Sequence, residues 1–359
     1  MPPNCKALVN LARKEDIPPV MATATLPPPP RKTANPAPAR PSDSIRRTCS
    51  IDVSWPGGQE GERLFTARVR DYRTPAGGGP GSVLDAAEFI ATMGEDKTTS
   101  SIAATPSPRG IEQLVGIRAG NHLRLAMKEL MPELIAQGAP IYLALDDLSG
   151  TSLVSLAAWA QWDEGWLERL RAQFGAGEME AMMAHRVNIC WGLAEGNTGV
   201  SQQGDSRSFA QADAGDLRNP ADPQGWHALP DFDGPSFRRA RRIDVTRDGS
   251  SGLIRVAASF QDSTTRKDGG RLAIHEYDLA LTCDPGTLEI LTLQAIPHIL
   301  PYPECPGAVH NTQRLVGSRI GDIREEVLAQ LRKTEGCTHL NDALRALAEV
   351  PKLAGYLTA

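Results

Sequence analysis

A short block returns in this chain: Leu114-Val115-Gly116-Ile117-Arg118-Ala119-Gly120 and then Leu315-Val316-Gly317-Ser318-Arg319-Ile320-Gly321. Each block opens a run of apolar residues at helical spacing, Leu123, Met127, Leu130 and Leu134 after the first and Ile323, Val327, Leu328 and Leu331 after the second. Upstream, Arg46-Arg47 and Ile51-Asp52-Val53 are matched by Arg241-Arg242-Ile243-Asp244-Val245, and the alternating segment Leu64 to Tyr72 by Leu253 to Asp262. A repeat of this kind limits the fold severely, because whatever the first stretch builds the second should build again. The expectation is an α+β protein. A unit of antiparallel strands followed by a long and a short helix is duplicated, with a helical insert between the copies.

The boundaries follow from composition. Residues 1–44 hold Leu-Pro-Pro-Pro-Pro-Arg-Lys and Asn-Pro-Ala-Pro-Ala-Arg-Pro, and proline at that density favours an extended, solvated tail. Met1 and Met21 both qualify as the start. Residues 45–150 form the first copy, with strands expected from Arg46, over Leu64 to Tyr72, and more weakly over Val83 to Met93 and Ile102 to Ala104; Ile141 to Leu148 closes it. Residues 151–237 form the insert. There Trp159, Trp162 and Trp166 fall along one helical face, Met179, Met182 and Met183 along another, and Asn197 to Pro223 reads as a long loop. Such stripes usually pack into a core; the sharper expectation is that they roof an apolar, aromatic-lined pocket. Residues 238–359 form the second copy, with strands over Arg271 to Thr282 and Leu288 to Ile296 and a short helix over Asn341 to Ala348.

The formal charge of -5 gives no overall pull toward nucleic acid or an anionic membrane. No apolar run approaches the roughly 18 residues of a membrane span, and the first residues lack the layout of a signal peptide. A cytoplasmic protein is expected. Six cysteines in 359 residues are too few for a disulfide scaffold, so a clustered subset points to metal binding or catalysis.

The expected site lies in the second copy. His275 near a strand start, Cys305 in Pro-Glu-Cys-Pro and Cys337 in Gly-Cys-Thr-His-Leu are ligand types that zinc accepts, and three protein ligands leave a fourth position for water or substrate. His339 is either a fourth ligand or the general base, with Tyr277 and Glu276 as further acid–base candidates, Asp278 and His310 behind them. A lone His or Cys is ordinarily structural. The repeat argues otherwise, since Asp85, Ala104 or Thr105, and Leu145 stand at the matching places in the first copy. Cys190 and Cys283 read as ordinary buried thiols.

Arg-Arg-Ile-Asp-Val, Ile-His-Glu-Tyr-Asp-Leu, Pro-Glu-Cys-Pro, Leu-Val-Gly-Ser-Arg and Gly-Cys-Thr-His-Leu-Asn-Asp-Ala, spread over Arg241 to Val350, together resemble the bacterial family called domain of unknown function 2889. That resemblance implies bacterial breakdown of lignin-type aromatics, including lyases that release formaldehyde from phenylcoumaran dimers. The order of ligands is also similar to the NifU-type iron–sulfur scaffold, with His275 in place of its first cysteine. The expected function is a lyase on a small aromatic substrate, assisted by metal, zinc first. The alternatives are a non-catalytic metal or iron–sulfur carrier, and a metal-free hydrolase or binder with an apolar pocket. A homodimer stays open.

Overall fold

A computed structural model describes residues 37–77, 79–173, 181, 184–200 and 212–357. Four strands come first: β1 (Ser44–Ser54), β2 (Arg63–Thr74), β3 (Ser82–Met93) and β4 (Thr99–Thr105). Three helices follow, α1 (Asn121–Leu130), α2 (Pro132–Ala136) and α3 (Pro140–Val154), then a 3-10 turn Ser155–Gln161 and α4 (Trp166–Gln173). After the two-residue β5 (Ala212–Asp213) come β6 (Ser236–Arg247), β7 (Ile254–Thr265), β8 (Arg271–Cys283) and β9 (Ile290–Ile299). A 3-10 helix Cys305–Leu315 and the helices α5 (Ile323–Gln330), α6 (Thr338–Arg345) and α7 (Val350–Leu357) end the described chain.

The nine strands among the described residues join one antiparallel sheet in the order β4-β3-β2-β1-β6-β7-β8-β5, with β9 also on β8. The protein is therefore a mixed α+β fold around a large antiparallel sheet. Alternation explains the strands: Ile45, Cys49, Ile51 and Val53 of β1, and Val256, Ala258 and Phe260 of β7, are buried on the face that the helices cover. The helical stretches differ from expectation. The run expected as one long helix after Gly120 breaks at Met131-Pro132, where proline at the start of α2 supplies no amide, so the longest helix is α3. In the second half the expected run after Gly321 forms the eight-residue α5, and a 3-10 helix Cys305–Leu315 precedes it. α3 also crosses the expected boundary at residue 150. The tryptophans share no single helix: Trp159 meets Trp55 edge to face at 5.6 Å, Trp162 donates to the Thr265 carbonyl at 3.0 Å, and Trp166 opens α4. Met179, Met182 and Met183 lie outside the described residues, as does the tail as far as residue 36. Arg40 is docked by paired hydrogen bonds to Asp222, inside the stretch expected to be loose.

The middle of the sheet carries buried charge. β1 and β6 pair over eleven positions, and Arg46 binds Asp244 (2.5 Å) while Arg238 binds Asp52 (2.6 Å), each reaching across to the other strand. By that reciprocity Arg238-Arg239, rather than the expected Arg241-Arg242, take the places of Arg46-Arg47. On the helix-covered face Arg47 grips Asp71 through two 2.6 Å bonds and Arg239 grips Asp262 at 2.8 and 2.9 Å. From the helices, Glu349 meets Arg47, Asp147 meets Arg241, and Asp342 meets Arg239. Gly150 of α3 permits this approach, since a Cβ there would stand 2.1 Å from Arg239 Nη1. The opposite face of β1 is covered by the loop around His227, whose ring bonds Thr48 (2.9 Å) and Ser50 (2.8 Å).

Candidate functional site

β7 and β8 pair so that Asp262 stands directly opposite His275, and both side chains face the helices. Irregularities flank the pair, between Asp262 and Ser263 on one side of β8 and between Glu276 and Tyr277 on the other. Such bulges re-aim side chains locally. His275 Nδ1 lies 3.1 Å from Asp262 Oδ2. The second residue of α6, His339, lays its ring on His275 with centroids 3.5 Å apart and planes 18° from parallel. Asp262 and His275 are buried and His339 is half-buried, so His339 is the member of the group that solvent reaches.

Burial opposes charge on Asp262, but the Arg239 guanidinium and the His275 hydrogen bond outweigh it and hold the carboxyl well below the usual range. With Asp262 ionised, Nδ1 of His275 is the donor of that hydrogen bond. Burial, reinforced by His275, drives His339 well below an ordinary histidine, so its ring is neutral.

Among the described residues, Asp262, His275 and His339 are the group of His, Cys, Asp or Glu whose donor atoms all lie within 4.8 Å of one another; His275, Cys305 and Cys337 do not gather in this way. The expected trio is thus divided. Nor does the Asp–His–His group fit an ion as it stands. Lone pairs of two stacked imidazoles run in nearly parallel planes and share no focus, and both Asp262 oxygens are held by Arg239.

The two thiols sit one step along β8. Tyr277, on the same face as His275, donates to Cys337 Sγ at 3.5 Å. Burial, with Cys337 next, pushes Tyr277 well above its ordinary value, which makes it a hydrogen-bond donor and a poor source of protons. Burial likewise raises Cys305 and Cys337. Both thiols act electrostatically with Cys190, which sequence reasoning set aside. Glu276, buried, pairs with Gln261 on the other face of the sheet, away from His275, as strand alternation requires. His310 is exposed. Leu145 lies in the middle of α3 whereas Cys337 caps α6, so that positional match fails. Two cavities, of 460 and 620 Å³, are lined by none of these residues and by none of Trp159, Trp162 and Trp166.

Asp262 was the residue sequence reasoning missed in this group. The signal was an acid at the end of the buried series Val256, Ala258, Phe260.

Fold and site together define an α+β protein with an Asp–His–His group where β7, β8 and α6 meet, beside a contact between Tyr277 of β8 and the Cys337 thiol. Residues 237–352 of the chain match the family model described as "Protein of unknown function (DUF2889)". No curated protein and no solved structure matches. No helix among the described residues is long and apolar enough to cross a membrane.

Proposed function

We propose that the second half is an acid–base enzyme of the lyase class, acting on a small aromatic substrate. The observation that supports it is His275, anchored through Nδ1 on ionised Asp262 and stacked on half-buried His339. An ionised acid behind an imidazole fixes its tautomer and stabilises the imidazolium that forms when Nε2 takes a proton. A neutral second imidazole in contact with it can pass a proton to or from solvent. The substrate class comes from the resemblance of the second half to domain of unknown function 2889.

Release of a hydroxymethyl group as formaldehyde asks for this pair of roles. His275 Nε2 accepts the hydroxyl proton; the O–H electrons become the second C–O bond of formaldehyde; the C–C bond breaks and its electrons form a C=C bond to the neighbouring carbon; and that carbon's bond to the ring oxygen breaks, the oxygen leaving with the pair. His339 carries a proton to that oxygen. The residues of this step are already held in place by Arg239, so the reaction as written asks no ion of them.

The same reading takes the chain as two copies of one unit, the second active. Its support is the reciprocal pairing of Arg46 with Asp244 and Arg238 with Asp52, and the equivalent turns at Gly116 and Gly317, where Gly116 N bonds Thr99 O and Gly317 N bonds Ile290 O.

The test is formaldehyde release by the purified chain from phenylcoumaran-type dimers and a panel of small hydroxymethyl aromatics. Turnover should appear with at least one of them. Turnover that survives unchanged in both His275→Ala and His339→Ala would end this assignment.

A further inference from the structure

Cys190, Cys305 and Cys337 are all free and buried. Buried free thiols are ordinarily small hydrophobes, and Cys283 on β8 behaves that way, its pKa raised to about 11 by burial alone. The other three stand in a different setting. Burial raises all three as well; what sets them apart is how their segments meet.

The three segments are also built to meet. Trp191 N bonds Gly336 O at 2.7 Å, tying the residue after Cys190 to the residue before Cys337. Gly192 lies so close to the third thiol that a Cβ would stand 2.4 Å from Cys305 Sγ, and a Cβ on Gly307 would stand 2.5 Å from Trp191. Tyr277 completes the surround with its hydroxyl on Cys337 Sγ. Three buried thiols on segments that meet in this way, with a hydroxyl on one sulfur, make the soft donor set that a thiophilic metal takes as thiolates.

We propose that Cys190, Cys305 and Cys337 form a binding site for a thiophilic metal, with zinc the simplest occupant. Three thiolates leave a fourth position open. Each thiol gives up its proton as its sulfur–metal bond forms. The three sulfurs do not all lie within 4.8 Å of one another, so a single ion draws them in by side-chain rotation. An iron–sulfur cluster, which cysteine thiolates also hold, places its ligands further apart. The site is separate from the Asp262–His275–His339 group and stands without the lyase assignment.

The experiment is elemental analysis and visible absorption of the purified full chain, alongside Co²⁺ titration of reduced, chelator-treated protein. About one zinc per chain is expected, with a sulfur-to-cobalt charge-transfer band on titration. Cys190→Ser, Cys305→Ser and Cys337→Ser should each weaken metal binding by about 10-fold or more, while Cys283→Ser and His275→Ala keep it. Iron with acid-labile sulfide, lost in the same three variants, supports the site with a cluster as occupant. The proposal falls if the wild-type chain carries no metal and shows no charge-transfer band with Co²⁺, or if metal stays stoichiometric in all three serine variants. The wild-type titration decides even if a variant fails to fold.

Discussion

The hairpin β2–β3 and the hairpin β7–β8 hold an aspartate at the same place, Asp71 and Asp262, each gripped by an arginine of the neighbouring central strand. What stands across from it differs: Asp85 in the first, His275 in the second. Around Asp71, burial with Asp85 and Glu349 outweighs Arg47 and raises the carboxyl. Around Asp262 the balance reverses. The charged framework therefore belongs to both halves, and the second sets a histidine where the first sets another carboxylate.

This contrast can be broken at its most sensitive point first. His275→Ala should lower turnover by about 10²- to 10⁴-fold, the ordinary worth of general acid–base catalysis. Asp85→Ala, at a half-buried position outside that group, should change it by no more than about twofold. Comparable losses in steady-state assays of both would mean that the halves are not functionally distinct. Removing either arginine, by contrast, should cost alike. Arg47→Ala takes the guanidinium from Asp71 and leaves Glu349 with Arg324, and Arg239→Ala leaves Asp262 with His275 and Asp342 with Arg124 and Arg345; each should lose about 3–5 kcal/mol in denaturant titration. A much smaller loss for Arg47 would confine the framework to the second half.

A smaller effect separates the two faces of the sheet. Burial, then Arg70 and Arg238, push His227 down to about 3. A histidine depressed on folding contributes stability that is complete above its unfolded pKa of about 6.5 and is lost as pH falls toward 3. His227→Gln should flatten the stability profile over that interval; parallel wild-type and variant curves would refute it. The smallest expected change is at the repeated turns. Gly116 and Gly317 have φ of 81° and 90° with open space around them, so alanine at either should cost about 1–2 kcal/mol, and by the same amount in thermal unfolding.

The strands were legible because one apolar face and one polar face leave a two-residue rhythm, as in Phe65, Ala67 and Val69. The helical stretches were less so. Two short helices on either side of Met131-Pro132, and the 3-10 segment Cys305–Leu315, keep the apolar spacing of a longer helix without its hydrogen bonding. Nothing local in the sequence announces that Asp71, Glu349 or Asp342 will meet Arg47 and Arg239 in the interior. His275 and His339 were visible as chemistry, but their partner was not: Asp262 enters through register, a property of pairing. Cys190 was passed over because its segment has no rhythm of its own; its relation to Cys305 and Cys337 arises only in three dimensions.

The long contact between β1 and β6 has a further consequence. Cut out alone, residues 237–352 would leave β6 as a bare margin with ten positions wanting a neighbour. A strand so exposed recruits whatever matches it, and the nearest match is another β6 turned end for end, which would restore by association the junction that the whole chain makes within itself.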